Sequence, residues 1–318
     1  MPISGPYSYL PTTDEFLSHW STVNSELGAA TPLHLAGGIN HAALLALRTQ
    51  LLAQWATVES TRNNREAARA AIESRKAQLL TRLNQFNLKL EAMQPGSVFL
   101  LARPKAYSLT EAMGRVVPPL QDIADVWQKA EVEGDAALIL PGNYSLAQFN
   151  ADFTSLKGNY LDYQAADNDL KFARGRRNET QEKIKPILKN YRQRITADYL
   201  PGSAVYESLP RLNPLPGHTP APVQLSGVFS AANQSANLTW SASADPDLQA
   251  YEVRATVGPE YEADDAEILA VLPPAQARQW TGTFGLALPG SAASFKVFVI
   301  LTTGNEAGSN EVTLTRPI

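Results

Sequence analysis

Residues 33–37 read LHLAG and residues 138–142 read LILPG, and this repeated pattern decides how the chain is organised. An offset of about 105 residues superposes residues 14–104 on residues 122–210. The two segments also share a tryptophan near the start (Trp20 and Trp127) and a closing Pro-Gly-Ser (from Pro95 and from Pro201). Self-similarity at a fixed spacing is the signature of a repeat. We therefore predict a tandem duplication.

The duplication sets the predicted domain boundaries in the first two thirds of the chain. Helical repeat 1 is expected over residues 1–106 and helical repeat 2 over residues 107–212. Each repeat should begin with a short helix, which in the first copy starts at a capping box opened by Thr12 and ends at Gly28. A second helix should follow Asn40, because asparagine is a favoured N-cap residue.

The second helix of each copy is predicted to be very long. In the first copy, apolar residues from Leu44 to Met93 keep one heptad phase with no glycine or proline between them. A continuous helix of about 50 residues would extend roughly 80 Å. It must lie against another helix, and the second copy is the expected partner. Ser145 caps the equivalent helix there, and Gly158 and Pro186 are expected to bend it.

The middle of each long segment is polar where an apolar stripe is expected. The polar residues are Arg62, Arg65 and Arg69 in the first copy and Asp167, Arg174 and Arg177 in the second. Either the stripe is wet within a continuous helix, or Asn63-Asn64 and Asn168-Asp169 form the tight turn of a helical hairpin. We favour the continuous helix, because the apolar phase agrees on the two sides.

The chain changes character after residue 212. Five prolines lie within residues 210–222, so residues 213–222 predict a stiff, proline-rich linker. Beyond it, short segments such as residues 251–257 alternate in the period of half-buried strands. About 95 residues of this pattern match one β-sandwich, which we place at residues 223–318.

Three features of these C-terminal residues carry a resemblance to a known family. Trp240 follows the alternating Leu238, the Asp-Pro-Asp turn at residues 245–247 leads into Tyr251, and residues 297–317 read VFVILTTGNEAGSNEVTLTRP. With these features, residues 220–318 resemble a fibronectin type III domain, including its bacterial members. The resemblance implies a two-sheet sandwich. Phe295 stands where the family has a corner tyrosine, so the tyrosine's hydrogen bond is expected to be absent.

The predicted fold class is therefore multidomain α plus β. A tandem-duplicated, coiled-coil-like region of long helices should be followed by a fibronectin type III-like β-sandwich. The resemblance covers only the C-terminal third. No Arg-Gly-Asp sequence occurs in it, so integrin binding is not implied.

The residue inventory argues against catalysis. The chain has no cysteine, which removes disulfides, thiolate chemistry and cysteine-ligated metals. Its four histidines form no ligand pair at helical spacing, and it has no P-loop, nucleophile elbow or dinucleotide fingerprint. We predict no enzymatic activity, no cofactor and no metal. The acidic residues 260–267 lack the spacing of an EF-hand loop, so a solvated loop is preferred to a calcium site there.

Composition also limits the partners and the compartment. A net charge of −4 argues against a strongly basic nucleic-acid binder. The longest apolar runs are too short to cross a bilayer, so no membrane insertion is expected. The first residues carry neither a basic nor an apolar signal region, so no secretion signal is predicted. Only the fibronectin-like resemblance suggests an exterior role.

The charge distribution supplies the candidate partner-binding residues. Residues 221–318 carry ten acidic and four basic side chains, whereas residues 171–194 carry nine basic and two acidic ones. A basic helix and an acidic loop of neighbouring copies could pair, with two aromatic residues adding apolar contact. The candidates are Arg174, Arg176, Arg177, Lys183, Lys185, Glu260, Tyr261, Glu262, Asp264, Asp265 and Trp280.

Two functions follow from this architecture. The first is a non-enzymatic structural protein that associates with itself as an assembly or filament subunit. The alternative is an adhesion module whose fibronectin-like domain recognises a surface glycan or a protein while the helices display it. Sandwiches of this type serve many roles, so the fold does not decide between the two.

Overall fold

The computed structural model confirms the predicted fold class, with long helices followed by an antiparallel β-sandwich of fibronectin type III-like fold. The structure describes residues 3, 5–28, 30–93, 98–109, 111–133, 137–213, 217–263, 266–287 and 289–317. The packing divides the chain into two compact units. One unit combines Met1–Trp55 with Arg176–Ile318, and the other is Ala56–Gly175.

Five α-helices occupy the described part of the first two thirds of the chain. They are α1 (Tyr9–Leu27), α2 (His41–Met93), α3 (Met113–Glu133), α4 (Leu146–Asp198) and α5 (Ala204–Glu207), with single 3₁₀ turns at Pro6–Ser8, Ala36–Gly38 and Val98–Leu100. Both α2 and α4 contain 53 residues. Asn63 and Asn64 lie inside α2, so the continuous helix is confirmed and the hairpin alternative is wrong.

Local hydrogen bonds explain where the long helices begin. The Asn40 side-chain oxygen accepts from the Ala43 backbone N–H at 2.9 Å. In the second copy the Ser145 N–H donates to Gln148 Oε1 at 2.7 Å, and the Gln148 N–H donates to Ser145 Oγ at 3.4 Å. These bonds satisfy N–H groups that have no partner within the helix. Both predicted caps are confirmed.

The predicted start of α1 is wrong, whereas its predicted end is confirmed. The 3₁₀ turn Pro6–Ser8 runs directly into α1, so the helix begins at Tyr9 and Thr12 is buried inside it. A threonine within the helix cannot act as its N-cap. Gly28 ends the helix with a φ of 81°, a conformation that glycine adopts without strain.

The unit Ala56–Gly175 has a core built from α3 and parts of both long helices. Trp127 of α3 stacks on Phe86 of α2 with ring centroids 5.2 Å apart, and lies 5.9 Å from Phe149 of α4. All three rings are fully buried. Leu83 and Leu90 of α2 are buried in the same cluster, as their heptad positions predict.

The helical core of the other unit has the equivalent composition. Trp20 of α1 lies 4.6 Å from Tyr191 of α4, measured between ring centroids. Leu44 of α2 and Leu188 and Ile195 of α4 are buried with them. Each core therefore combines the short helix of one copy with the last part of the other copy's long helix.

Equivalent hydrogen bonds to backbone carbonyls recur in the two copies. Trp20 Nε1 donates to the Leu33 carbonyl at 3.3 Å, and Trp127 Nε1 donates to the Leu138 carbonyl at 3.1 Å. Two residues further on, the Leu35 and Leu140 N–H groups each donate to a carbonyl four residues ahead at 2.8 Å. A duplication would produce this equivalence. The boundaries at residues 106 and 212 remain a prediction, because the compact units follow packing rather than sequence repeats.

The polar side chains in the middle of the long helices are not all exposed to solvent, contrary to expectation. Arg62 is 5% exposed, and Arg177 is fully buried. In the unit Ala56–Gly175, Arg65 Nη1 lies 3.7 Å from the Asp167 carboxylate. Ion pairs and contacts with aromatic rings therefore allow part of this polar stripe to be buried. Pro186 lies within α4, and the bend expected there stays a prediction.

In the described residues of the sandwich, eight strands form two antiparallel sheets. They are β1 (Leu225–Ser230), β2 (Ser235–Trp240), β3 (Leu248–Val257), β4 (Glu267–Leu272), β5 (Gln279–Gly282), β6 (Ala292–Leu301), β7 (Glu306–Gly308) and β8 (Val312–Thr315). One sheet has the order β1-β2-β5, and the other has the order β4-β3-β6-β7 with β8 also pairing β6.

The inter-sheet core is the predicted one. Trp240, Tyr251, Val253, Val297 and Val299 are buried together, and the rings of the first two lie 5.9 Å apart. Strand alternation places them on inward-facing sides of their sheets. The core thus lies between β1-β2-β5 and the larger sheet.

The described end of the linker lies against the sandwich. Gly217 sits so close to Thr303 and Asn305 that a Cβ there would lie 3.1 Å from the Asn305 side chain. His218 pairs with the Asp245 carboxylate, and this hydrogen bond lowers the pKa of Asp245 below its usual value. This end of the predicted spacer is therefore anchored.

Candidate interaction surfaces

The basic segment of α4 does not form one continuous surface. Arg176, Lys183 and Lys185 are exposed, and Arg174 is half-buried. Arg177 is fully buried, although it was predicted as a partner-binding residue. That prediction is wrong for Arg177, since a partner cannot reach it in this structure.

Arg177 has a structural role in the unit that contains it. Its guanidinium carbon lies 4.5 Å from the centre of the Trp55 ring. Its Nε and Nη2 donate to Asn178 Oδ1 at 3.0 and 2.9 Å. A buried cation over an indole face is stabilised by the ring's negative face. Arg177 thus occupies a buried position between the helices, where an apolar side chain is usual.

The acidic loop is only partly described. Glu260 and Glu262 are exposed, whereas Asp264 and Asp265 lie outside the described residues. Within the described residues, no group of three or more His, Asp or Glu side chains is arranged to hold a metal ion. Among the described residues, the acidic loop presents the carboxylates of Glu260 and Glu262 on either side of Tyr261.

Tyr261 is held against the larger sheet. Its backbone N–H donates to Glu311 Oε1 at 3.0 Å, and its ring centroid lies 6.5 Å from that of Phe298. Lys296 Nζ lies 4.9 Å from the ring centre. Burial raises the pKa of the Tyr261 hydroxyl above its ordinary value. Its ring is half-buried, so only part of it is available to a partner.

Trp280 lies in β5, whereas the sequence placed it outside the clearest strands. Its ring centroid is 5.8 Å from that of Phe295, and it packs against the sandwich core. A Cβ at Gly282 would lie 2.4 Å from the Trp280 ring, so the indole covers that glycine. Trp280 therefore seals the sandwich core, and only the remainder of its half-exposed surface can contact a partner.

A small cavity of about 160 Å³ lies between the N-terminal segment and β3–β4. Its walls include Pro6, Tyr7 and Ile268, with Arg254 as the cationic residue. Arg254 Nη2 lies 2.7 Å from Glu306, Nε pairs with Glu252, and the guanidinium covers the Phe298 ring at 3.9 Å. Burial alone would lower the pKa of Arg254, but the two carboxylates raise it. The guanidinium is already occupied by these contacts.

Sequence reasoning missed two uncharged helix faces in the unit Ala56–Gly175. Both run opposite the core, at positions shifted by two residues from the core heptad phase. The uncharged face of α2 consists of Ala56, Ser60, Asn63, Ala67, Ala70, Ser74 and Ala77. The uncharged face of α4 consists of Ala151, Thr154, Gly158, Leu161, Ala165, Asn168 and Phe172.

Most side chains on these two faces are exposed, and two of them are large. Leu161 is 65% exposed and Phe172 is 66% exposed. A solvated helix face normally carries charged residues. The signal that would have revealed these faces is a second 3-and-4 spacing of uncharged residues, which a search for large apolar residues overlooks.

Comparisons with known proteins find solved structures that are similar to about a third of this chain. No protein-family model matches the chain, and a search of curated proteins finds no match. Among solved structures, a fibronectin type III-like protein from Clostridium thermocellum is 24% identical and covers 32% of this chain and 97% of that chain, with a TM-score of 0.26. The fn3 domain of human contactin 1 is 14% identical, covering 32% of this chain and 79% of that chain at a TM-score of 0.26.

Pectate lyase PelI from Erwinia chrysanthemi, in complex with tetragalacturonic acid, is a third similar structure. It is 24% identical and covers 29% of this chain at a TM-score of 0.25. The chain spans only 28% of the length of that structure. No helix in the described part of the chain is long and apolar enough to span a membrane.

Proposed function

We propose that this chain is a non-enzymatic structural protein that associates with copies of itself. The observation that carries the proposal is the uncharged face of α4, with Leu161 and Phe172 about two-thirds exposed. Exposed large apolar side chains on a charge-free face are typical of interaction surfaces. Displayed on a continuous helix of 53 residues, they offer a partner a rigid surface.

Self-association of this kind is driven by the burial of apolar surface between two copies. Burying apolar area contributes about 25 cal/mol per Å², so two exposed side chains alone provide only a modest driving force. Neighbouring small residues let a partner helix approach closely and extend the buried area. Lys171, which is exposed beside this face of α4, is available to add a contact at the rim.

Sedimentation velocity of the full chain across a hundredfold range of concentration tests the proposal. We expect the average mass to rise with concentration and to persist in moderate salt, because the proposed contact is mainly apolar. A mass that stays at the monomer value throughout would contradict self-association. Loss of the larger species in moderate salt would instead favour the electrostatic pairing of basic helix and acidic loop.

A second candidate is an adhesion module that uses the sandwich. The observation that favours it is exposed apolar surface on the outermost strands of the sheets, with Val228 of β1 64% exposed and Val271 of β4 59% exposed. Exposed strand edges can pair with an extended chain. Val228→Lys and Val271→Lys should each weaken capture of a cell-surface protein if this candidate holds, with Ala242→Lys as an exposed control. Equal capture by all variants would count against it.

A further inference from the structure

We propose that neighbouring copies join through the uncharged face of α2 on one copy and the uncharged face of α4 on the next, with the two helices antiparallel. This inference rests on the proposed self-association and specifies its interface. Both faces belong to the same compact unit and turn away from its core.

The spacing of the two faces fits helix pairing. Their residues recur at alternating intervals of three and four, which keeps a stripe on one side of a pair of supercoiled helices. On α2 the sequence runs from Ala56 to Ala77, and on α4 from Ala151 to Phe172. A partner helix can therefore follow each stripe for about three heptads.

The two faces are complementary in size. The α2 face has only small side chains, whereas the α4 face carries Leu161 and Phe172. If Asn63 faces Ala165 in an antiparallel pair, Leu161 faces Ala67 and Phe172 faces Ala56. Large side chains then meet small ones, which allows close packing without voids.

The charges beside the faces are complementary too. Glu59, Glu66 and Glu73 border one side of the α2 face. They pair with basic residues of α2 itself, and their side chains remain 44%, 31% and 47% exposed. The same side of the α4 face is bordered by Lys157, Gln164 and Lys171. Lys171 pairs with Asp167 of the same helix, and its side chain remains 67% exposed. Flanking charges of this kind select partner and orientation.

An antiparallel pair brings these matching sides together. Glu59 then lies near Lys171, and Glu73 lies near Lys157. A parallel pair would instead place the glutamates beside Asp162 and Asp169, which border the other side of the α4 face. Like charges at these positions are destabilising, so the antiparallel arrangement is favoured.

Pairing of two identical faces is disfavoured by the same charges. Two antiparallel α2 faces would oppose their glutamates, and two antiparallel α4 faces would oppose Lys157 and Lys171. The contact is therefore heterologous, with different surfaces on the two copies. Within one copy, α2 and α4 pack through the opposite sides of these helices, as at Val58 and Leu170, so the two uncharged faces point away from each other. One neighbour therefore cannot cover both faces, and the contact repeats to generate a ring or an open chain rather than a closed twofold dimer.

The first test replaces Leu161 with lysine in the full chain. Leu161→Lys places a charge in the proposed contact, and we expect the concentration for half-association to rise about tenfold or more. Val132→Lys is the matched control, since Val132 is 73% exposed on α3 of the same unit and lies outside both faces. It should leave the association within about twofold of wild type.

The second test exploits the absence of cysteine in the chain. Asn63→Cys and Ala165→Cys are prepared separately, and one of them carries a mass tag. Under mild oxidation, the mixture should give the mixed disulfide-linked dimer, whereas each variant alone should remain mostly unlinked. Both residues are exposed, so these substitutions leave the core intact.

The outcomes separate this inference from the proposed function. Wild type that stays monomeric at every concentration overturns both. Wild type that associates, together with Leu161→Lys that associates equally well, overturns the interface alone. Disulfide-linked homodimers of one variant, without the mixed species, would show that identical faces pair and would overturn the heterologous contact.

Discussion

The two helical cores are built on one plan but differ in polarity at equivalent positions. In the core around Trp20, His19 Nδ1 lies 2.7 Å from the Tyr191 hydroxyl, and His19 Nε2 lies 2.9 Å from the Val205 carbonyl. In the core around Trp127, the superposed positions hold Val126 and Phe86, which are buried and apolar. A polar pair in one core corresponds to an apolar pair in the other.

The direction of the hydrogen bonds in the polar core follows from chemistry. A carbonyl only accepts, so His19 donates from Nε2 to Val205 and accepts from the Tyr191 hydroxyl at Nδ1. Burial raises the pKa of Tyr191, which keeps its hydroxyl protonated. The difference between the cores shows that buried polar groups are replaced together, because changing one alone leaves the other unsatisfied.

The largest expected effect comes from removing either buried tryptophan. Trp127→Ala should lower the free energy of unfolding by about 3–5 kcal/mol, since it opens a large cavity. Trp20→Ala should do the same in the other core. Hydrogen exchange should show the loss of protection first in α3 for Trp127→Ala and in α1 for Trp20→Ala. The same pattern in both variants would argue that the cores are not separate.

An intermediate effect on the free energy of unfolding is expected when the hydrogen bond between His19 and Tyr191 is removed. Tyr191→Phe leaves His19 Nδ1 without its donor and should cost about 1–3 kcal/mol in chemical denaturation. Adding His19→Val reproduces the apolar pair of the other core and should recover part of this loss. The matched reverse variant, Phe86→Tyr, should be destabilising. Additive effects of His19→Val and Tyr191→Phe in a double-mutant cycle would refute the coupling.

A smaller effect is expected at the caps that the two copies share. Asn40→Ala and Ser145→Ala each remove a side-chain acceptor at the start of a long helix and should cost about 1 kcal/mol. Asn40→Asp keeps the acceptor and should remain close to wild type in thermal unfolding. A loss for Asn40→Asp as large as that for Asn40→Ala would assign the effect to something other than capping.

The smallest expected effect is that stability depends on pH through Asp167 in the second copy but not through the superposed position in the first. The hydrogen bond from Lys171, with Arg65 and Arg174 nearby, lowers the pKa of Asp167. A lowered folded-state pKa stabilises the protein above the usual aspartate pKa of about 3.9, and this stabilisation is lost as pH falls through the lowered value. The superposed position in the first copy is Arg62, so no counterpart exists there.

NMR titration of the carboxyl groups measures this effect directly. Lys171→Gln should move the pKa of Asp167 upward, toward its ordinary value. Lys189→Gln, a change of an exposed lysine elsewhere on α4, serves as the control and should leave it in place. An Asp167 pKa that is unaffected by Lys171→Gln would exclude the hydrogen bond as the main cause.

The sequence predicts the fold where one physical signal dominates. The heptad phase from Leu44 onward predicts α2 correctly, because a continuous apolar stripe requires a continuous helix. The start of α1 was mispredicted because the sequence shows a capping box at Thr12 but not the 3₁₀ turn that precedes it. Arg177 was placed on the surface because its type is usually exposed, whereas contact with Trp55 makes its burial possible.

The interaction surfaces were harder to predict than the core. A charge run is visible in sequence, but the side on which each arginine points depends on packing. The uncharged faces carry small residues, which give little hydrophobic signal, so Leu161 is recognised as part of a surface only when its exposure is known. Trp280 illustrates the opposite case, since strand pairing with Leu238 fixes its ring over Phe295.

The composition of the two helical cores has a consequence for synthesis on the ribosome. All the buried residues of the core around Trp127 lie between Ile72 and Leu156, whereas the core around Trp20 joins Phe16 to Leu212. Phe16 must therefore wait for nearly two hundred later residues before its core is complete. Until then Trp20 and its neighbours expose apolar surface, which favours aggregation of the incomplete chain. The segment synthesised in between can assemble its own core earlier.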